Sequence, residues 1–294
     1  MAHFYLVDDL VAADVGGTVE LTGSEARHAV TVSRVRVGEA LTLGNGRGLV
    51  VQGEVTEAAP ERLVLLSTRV VRHEPPTTRL VLAQALAKGD RDELAVQAAT
   101  ELGVDEIVPW AAARSISRWE GPKVAKGLTR WSTIVREATK QSIRPWAPEV
   151  SGLATTRLLA ERASRDLALA LEPAAEPAPT AVDLTAGGGV PARVVVVVGP
   201  EGGGSPARLQ QLAAAGAPPA RPRDAAPRTP SAGPAALPVL GARLGRRGPR
   251  PPRGPCRRSS LRWAACPRPP TSPPSSAAPP RARSPPTSCS RATR

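Results

Sequence analysis

The chain has 294 residues, enough for about two domains of ordinary size. Its net charge of +13 suggests a nucleic-acid partner, but the 14 arginines of residues 225–294, where lysine and acids are absent, supply all of it; the other 25 basic and 26 acidic residues nearly cancel, so any RNA-binding surface on the folded part must be local. All three cysteines (Cys256, Cys266, Cys289) lie in that tail, no basic leader precedes Asp8 and Asp9, and no apolar run approaches ~20 residues, which argues against a disulfide framework, a metal centre or a membrane span and for a cytoplasmic protein.

Residues 19–21, 40–43, 49–55 and 62–66 read as strands. Asn45-Gly46 between the second and third is a tight-turn signal, because that pair supplies the positive φ values of a hairpin. Residues 24–30 read as a short helix. Residues 1–72 are therefore predicted to form a small β-barrel, and His73-Glu74-Pro75-Pro76-Thr77 a linker, since paired prolines continue neither helix nor central strand.

From residue 78 the pattern becomes strand–helix alternation. Strands are predicted at 79–85, 106–110, 167–171 and 194–198, and helices at 90–102, 128–143 and 205–215. Such alternation implies an α/β domain on a parallel sheet, here assigned to residues 78–245. The five valines at 194–198 read as a fully buried strand. It runs into Gly199-Pro200-Glu201-Gly202-Gly203, where glycine permits close backbone approach at the carboxyl end of a strand. The loop lacks the Gly-Lys-Ser/Thr of a nucleoside-triphosphate loop and the spacing of a dinucleotide fingerprint. It reads either as a loop for another cofactor or as an ordinary strand-to-helix turn.

Of residues 246–294, 41 of 49 are Arg, Pro, Ala, Ser or Gly, too little apolar surface to offset chain entropy. The segment reads as a disordered basic tail or as out-of-frame translation of a GC-rich gene.

Several polar groups are candidates for chemistry. Glu137, Gln141 and Arg144 fall at i, i+4 and i+7, one face of the predicted helix, as a solvated ion-paired row or a row aimed at substrate. The amide could read a base edge and the guanidinium hold negative charge. Lys88 and Arg91 follow the first strand of the α/β part, and Arg114 follows the second, where phosphate contacts are expected; Asp90 could equally be a plain helix cap. His28 and Arg34 lie in the barrel, and a lone histidine is more often structural than catalytic.

Together, Lys88-Gly89-Asp90-Arg91, Glu101-Leu102-Gly103-Val104-Asp105, Val108-Pro109-Trp110, Ala113-Arg114-Ser115, Glu137-Ala138-x-x-Gln141-Ser142-x-x-Arg144, Pro148-Glu149-Val150 and Gly199-Pro200-Glu201-Gly202-Gly203 resemble the ribosomal RNA small subunit methyltransferase E family. The likeness covers about residues 1–216. It implies a PUA-like RNA-binding β-barrel followed by a SPOUT trefoil-knot α/β methyltransferase domain. It also implies a homodimer with the active site between protomers, acting on N3 of a uridine in 16S rRNA of the small ribosomal subunit with S-adenosylmethionine. On this resemblance Arg144 is the candidate for stabilising the uracil anion, with Gln141 orienting the base beside Glu137. Gly199, Pro200, Glu201, Gly202 and Gly203 form one cofactor loop, with Arg228 and Ala232 matching the other. His28, Arg34, Lys88, Arg91 and Arg114 are the RNA-contact candidates.

The second loop departs from the family pattern. Pro222-Arg223 stands where the family has Leu-Gly, and Pro227 and Pro230 each lack a backbone donor. An RNA-binding protein that has lost methyl transfer through residues 220–230 is the alternative reading.

Overall fold

The computed structural model describes residues 4–112, 115, 117–173, 175, 182–184, 189–200, 206–221 and 229–246. The amino-terminal part contains β1 (Phe4–Leu6), β2 (Thr18–Thr22), α1 (Gly23–Arg27) continuing into a wide helical turn at His28–Val32, β3 (Ala40–Gly44), β4 (Leu49–Ala59) and β5 (Arg62–Arg72). The strand order is β1-β3-β4-β5-β2, antiparallel except for the parallel β1–β3 pair. Register shifts in β4 at Gln52/Gly53 and Val55/Glu57 let this long strand curl. Gly53 is needed at the first, because any Cβ there would overlap the Leu66 carbonyl. The curled sheet encloses Tyr5, Val19, Leu21, Leu43, Val51, Leu63 and Leu65.

Asn45 turns the β3–β4 hairpin through its side chain rather than through the expected positive φ. Its Oδ1 accepts hydrogen bonds from the amides of Arg47 (2.8 Å) and Leu49 (3.0 Å), and the positive φ values fall on Gly46 and Gly48. β1, three residues all buried, has no alternation by which to announce itself.

The second part contains β6 (Arg79–Ala85), α2 (Arg91–Glu101), β7 (Glu106–Trp110), α3 (Pro122–Gln141), β8 (Glu149–Val150), α4 (Thr156–Ala163), β9 (Leu167–Leu171), β10 (Arg193–Val198), α5 (Pro206–Ala214), β11 (Pro219–Ala220) and α6 (Thr229–Arg243). All pairs in the sheet β11-β9-β10-β6-β7-β8 are parallel, as the alternation implies. The period of two divides β6 and β10 between the sheet's faces. Leu80, Leu82, Val194, Val196 and Val198 pack with α2, α3 and α6, while Val81, Ala83, Val195 and Val197 pack with α4 and α5.

α3 differs most from expectation. It starts at Pro122, a favoured first-turn residue, and stops at Gln141. Trp119 folds back onto it, edge-on to Trp131 at 5.2 Å and so close to Gly127 that a Cβ there would lie 2.5 Å from the indole. The far end of α3 meets the amino-terminal sheet through polar contacts. Arg136 pairs with Asp8 (2.7 Å) and Glu25 (3.4 Å), and Lys140 with Glu25 (3.1 Å). The linker is fixed there too, its His73 amide donating to Gly48 (2.8 Å) and its carbonyl accepting from Trp146 Nε1 (3.2 Å). The segment 222–228, through which a knot would close, and the tail 247–294 lie outside the described residues.

Candidate functional site

In an open parallel sheet, ligands are held beyond the carboxyl ends of the strands. β10 ends there at Val198 and delivers Gly199, half-buried, and Pro200, buried. The first turn of α6 arrives at the same place. A Cβ on Gly233 would lie 2.6 Å from Leu82 and 2.9 Å from Val198, so only glycine lets this turn close onto the sheet. Ala232 beside it is 6 % exposed and belongs to the core cluster. The structure thus gathers Gly199, Pro200 and Ala232 at one end. Glu201, Gly202, Gly203 and Arg228 lie outside the described residues.

Two strand termini bring further polar groups to this end: Gln84, outside the motifs, and Trp110, the last residue of Val108-Pro109-Trp110. Gln84 is wholly buried; its Nε2 donates to the Ala85 carbonyl (3.1 Å) and its Oε1 has no partner. Trp110, at the end of β7, is equally buried with Nε1 unpartnered, and the Arg208 guanidinium lies 5.4 Å over its ring. A glutamine inside the apolar run Leu80-Val81-Leu82-Ala83-Gln84-Ala85 was the available sequence signal.

The loop after β6 carries Lys88 and Arg91, both exposed, at the same end. Gly89 (φ +67°) and Asp90 (φ +60°) adopt left-handed conformations that set the loop's turn. Asp90 makes no side-chain cap, contrary to the simple cap reading. Asp92 holds the loop instead, accepting from the amides of Ala87 (3.1 Å) and Glu93 (2.9 Å). Burial pushes its carboxyl above the usual range despite those bonds. His28 and Arg34 are exposed on the amino-terminal part, His28 edge-on to Tyr5 at 6.1 Å and Arg34 at φ +57°. Arg114 lies outside the described residues.

The row of Glu137, Gln141 and Arg144 does not form. The helix ends at Gln141, Ile143 turns left-handed (φ +52°), and Arg144 swings back beneath the sheet. Its Nη1 donates to the Thr100 carbonyl (2.7 Å) and its Nη2 faces Asp105 at 3.5 Å. Arg246 grips the same carboxylate (2.5 and 2.9 Å). Burial pulls the Arg144 pKa down to about 10; Asp105 opposes this and Arg246 reinforces it. Glu137 is exposed and paired with Lys140 (2.8 Å), and Gln141 is exposed.

All of this happens at the amino-terminal edge of the sheet. Asp105 bonds to Leu80 at the start of β6, whereas Gln84 aligns with Val198. Roughly 13 Å of strand separates the two levels. Within one chain, Arg144 is therefore remote from Gly199. A cavity of about 510 Å³ opens at this edge, lined by Arg144, Asp105, Trp146, Leu237 and Arg246, away from the strand ends where a ligand is expected.

Family models agree with both halves: an RNA methyltransferase PUA domain matches residues 21–66, and an RNA methyltransferase domain matches residues 73–241. The fold and site together define a SPOUT-type RNA methyltransferase behind a PUA-like barrel. The chain is similar to the ribosomal RNA small subunit methyltransferase E of Mycobacterium bovis, with 38 % identity over 82 % of this chain and 92 % of that protein. It is 28 % identical to the enzyme of that name from Bacillus subtilis over 66 % of this chain and 78 % of that one. The crystal structure of the Neisseria gonorrhoeae protein of that name, bound to S-adenosyl methionine, superposes with a TM-score of 0.70 at 28 % identity, covering 82 % of this chain and 98 % of that one. The chain belongs to the ribosomal RNA small subunit methyltransferase E family.

Proposed function

We propose that this rRNA methyltransferase acts on N3 of a uridine in 16S rRNA, with S-adenosylmethionine as methyl donor, as a cytoplasmic homodimer. Residues 1–72 form the RNA-binding unit, 73–77 the linker and 78–245 the catalytic unit. The observation that carries the reading is the meeting of Gly199-Pro200 with the glycine-fitted first turn of α6 at the carboxyl edge of the sheet. Gly233 brings the α6 backbone against the end of β10, beside the glycine that follows it, and backbone so placed suits a ligand held at the strand ends. The similar Neisseria structure is bound to S-adenosyl methionine, which supports the choice of donor.

S-adenosylmethionine, when bound, supplies a sulfonium-activated methyl group, the electrophile that a uracil nitrogen requires. The chain's own part is to hold the two reactants in line and exclude water, which supplies much of the rate in a two-substrate transfer. Gly199 to Gly203, with Arg228 and Ala232, hold the donor. Lys88, Arg91 and Arg114 contact phosphates beside the transfer site, and His28 and Arg34 contact RNA on the barrel. Arg144 is assigned to anchoring the end of α3 rather than to chemistry in its own chain.

Incubating the purified chain with S-adenosylmethionine and unmodified small subunits, then digesting the rRNA to nucleosides for mass spectrometry, tests the reading. 3-Methyluridine is expected; another methylated nucleoside, or none, would overturn it.

A further inference from the structure

Gln84 is a polar side chain with no structural reason to be where it is. It occupies the α6 face of the central strand β6, one step beyond Leu82. Its register partners are Val198, immediately before Gly199, and Pro109. Parallel partners share a face, so its amide stands beside the Val198 side chain, where Gly233 closes in. The fully buried Oε1 accepts nothing, and the Nε2 reaches only the carbonyl of the next residue. A buried acceptor without a donor costs stability and calls for an explanation. Methionine or leucine would fill the same space without that cost.

Resting on the methyl-donor reading above, we infer that Gln84 is a cofactor-binding residue whose Oε1 accepts a hydrogen bond from an N–H or O–H group of S-adenosylmethionine. Depth decides between donor and RNA. Gln84 has no exposed surface, whereas the cations suited to phosphate in the neighbouring loop, Lys88 and Arg91, lie outside. A carbonyl oxygen is selective for a donor group and imposes no charge, so it orients a ligand without titrating.

The test is calorimetric titration of S-adenosylmethionine and S-adenosylhomocysteine into the full chain and into Gln84→Met, with thermal unfolding of both proteins in the absence of ligand. Loss of one hydrogen bond is expected to weaken both ligands about tenfold. The ligand-free melting temperature is expected to stay level or rise, because an unsatisfied acceptor has gone. A structural role predicts the opposite: a lower melting temperature in the variant, with affinity following stability. That result overturns the inference. So does unchanged cofactor affinity with slower methylation of small subunits, which would give the acceptor to RNA. An unsubstituted chain that binds neither ligand sinks the methyl-donor reading, and the inference falls with it.

Discussion

At the scale of single residues, the buried charges at the edges of the parallel sheet are held by named partners. Removing Arg144 leaves Asp105 paired to Arg246 but strips Thr100 of its donor and empties a buried site. Arg144→Ala is expected to cost about 1–3 kcal/mol, read as a lower denaturant midpoint, with cofactor affinity unchanged. Turnover falling at full stability would return Arg144 to the chemistry. Lys88→Ala and Arg34→Ala are expected to weaken RNA binding and to lower the salt dependence by about one unit of slope each. A slope identical to the unsubstituted protein's in both would remove them from the interface. Glu106 adds a pH signature. Burial raises its carboxyl pKa, but hydrogen bonds from Ser151 and Arg162 (2.6 Å each) and the charges of Arg162 and Arg79 outweigh that and leave it low. A depressed folded pKa stabilises above the unfolded value of about 4.3 and is lost as pH falls through the folded value. Arg162→Met is therefore expected to reduce stability at neutral pH by an amount that vanishes in acid. A difference independent of pH would show that Glu106 is not the partner that matters. The misplacement of Arg144 has a local cause: seven-residue spacing implies one face only while the helix continues, and a left-handed isoleucine ended it.

At the scale of elements, legibility followed burial on both faces. β6, β7 and β9 have the expected bounds and β10 begins one residue earlier, because strands covered on both sides are continuous apolar runs. β1, β8 and β11, at two or three residues each, are too short for periodicity to register. α4 was missed although Thr155 caps it, accepting from the Leu158 amide (3.3 Å). Gln84 is visible in the sequence as a misfit in an apolar run, but the missing partner of its Oε1 becomes plain only once β10 and α6 stand beside it. α6 itself contradicts local propensity, with Pro234 and Pro238 inside the helix. Pro238 is exposed, so truncating it leaves no cavity. Pro238→Ala is expected to raise the melting temperature, gaining up to about 3 kcal/mol by restoring an amide donor and removing a ring clash. An unchanged or lower value would mean that the helix is shaped around the ring.

At the scale of the whole molecule, the two parts meet through charge. Glu25, with a side chain only 14 % exposed, receives both Lys140 and Arg136, and Arg136 also reaches Asp8. Glu25→Gln leaves two cations facing one another and is expected to loosen the amino-terminal part from α3. Proteolysis at the linker would then accelerate while the methyltransferase part stays intact; cleavage at the original rate would show that the contact is not needed. The contact has a further consequence through the length of α3. The barrel is bolted near Arg136, whereas Pro122 opens the helix at the opposite edge of the sheet, beside the strand ends. Fourteen residues of helix span roughly 21 Å, the length of about six stacked nucleotides. The contact therefore sets the amino-terminal part and the carboxyl ends of the strands one helix length apart, like the jaws of a caliper with a fixed gap.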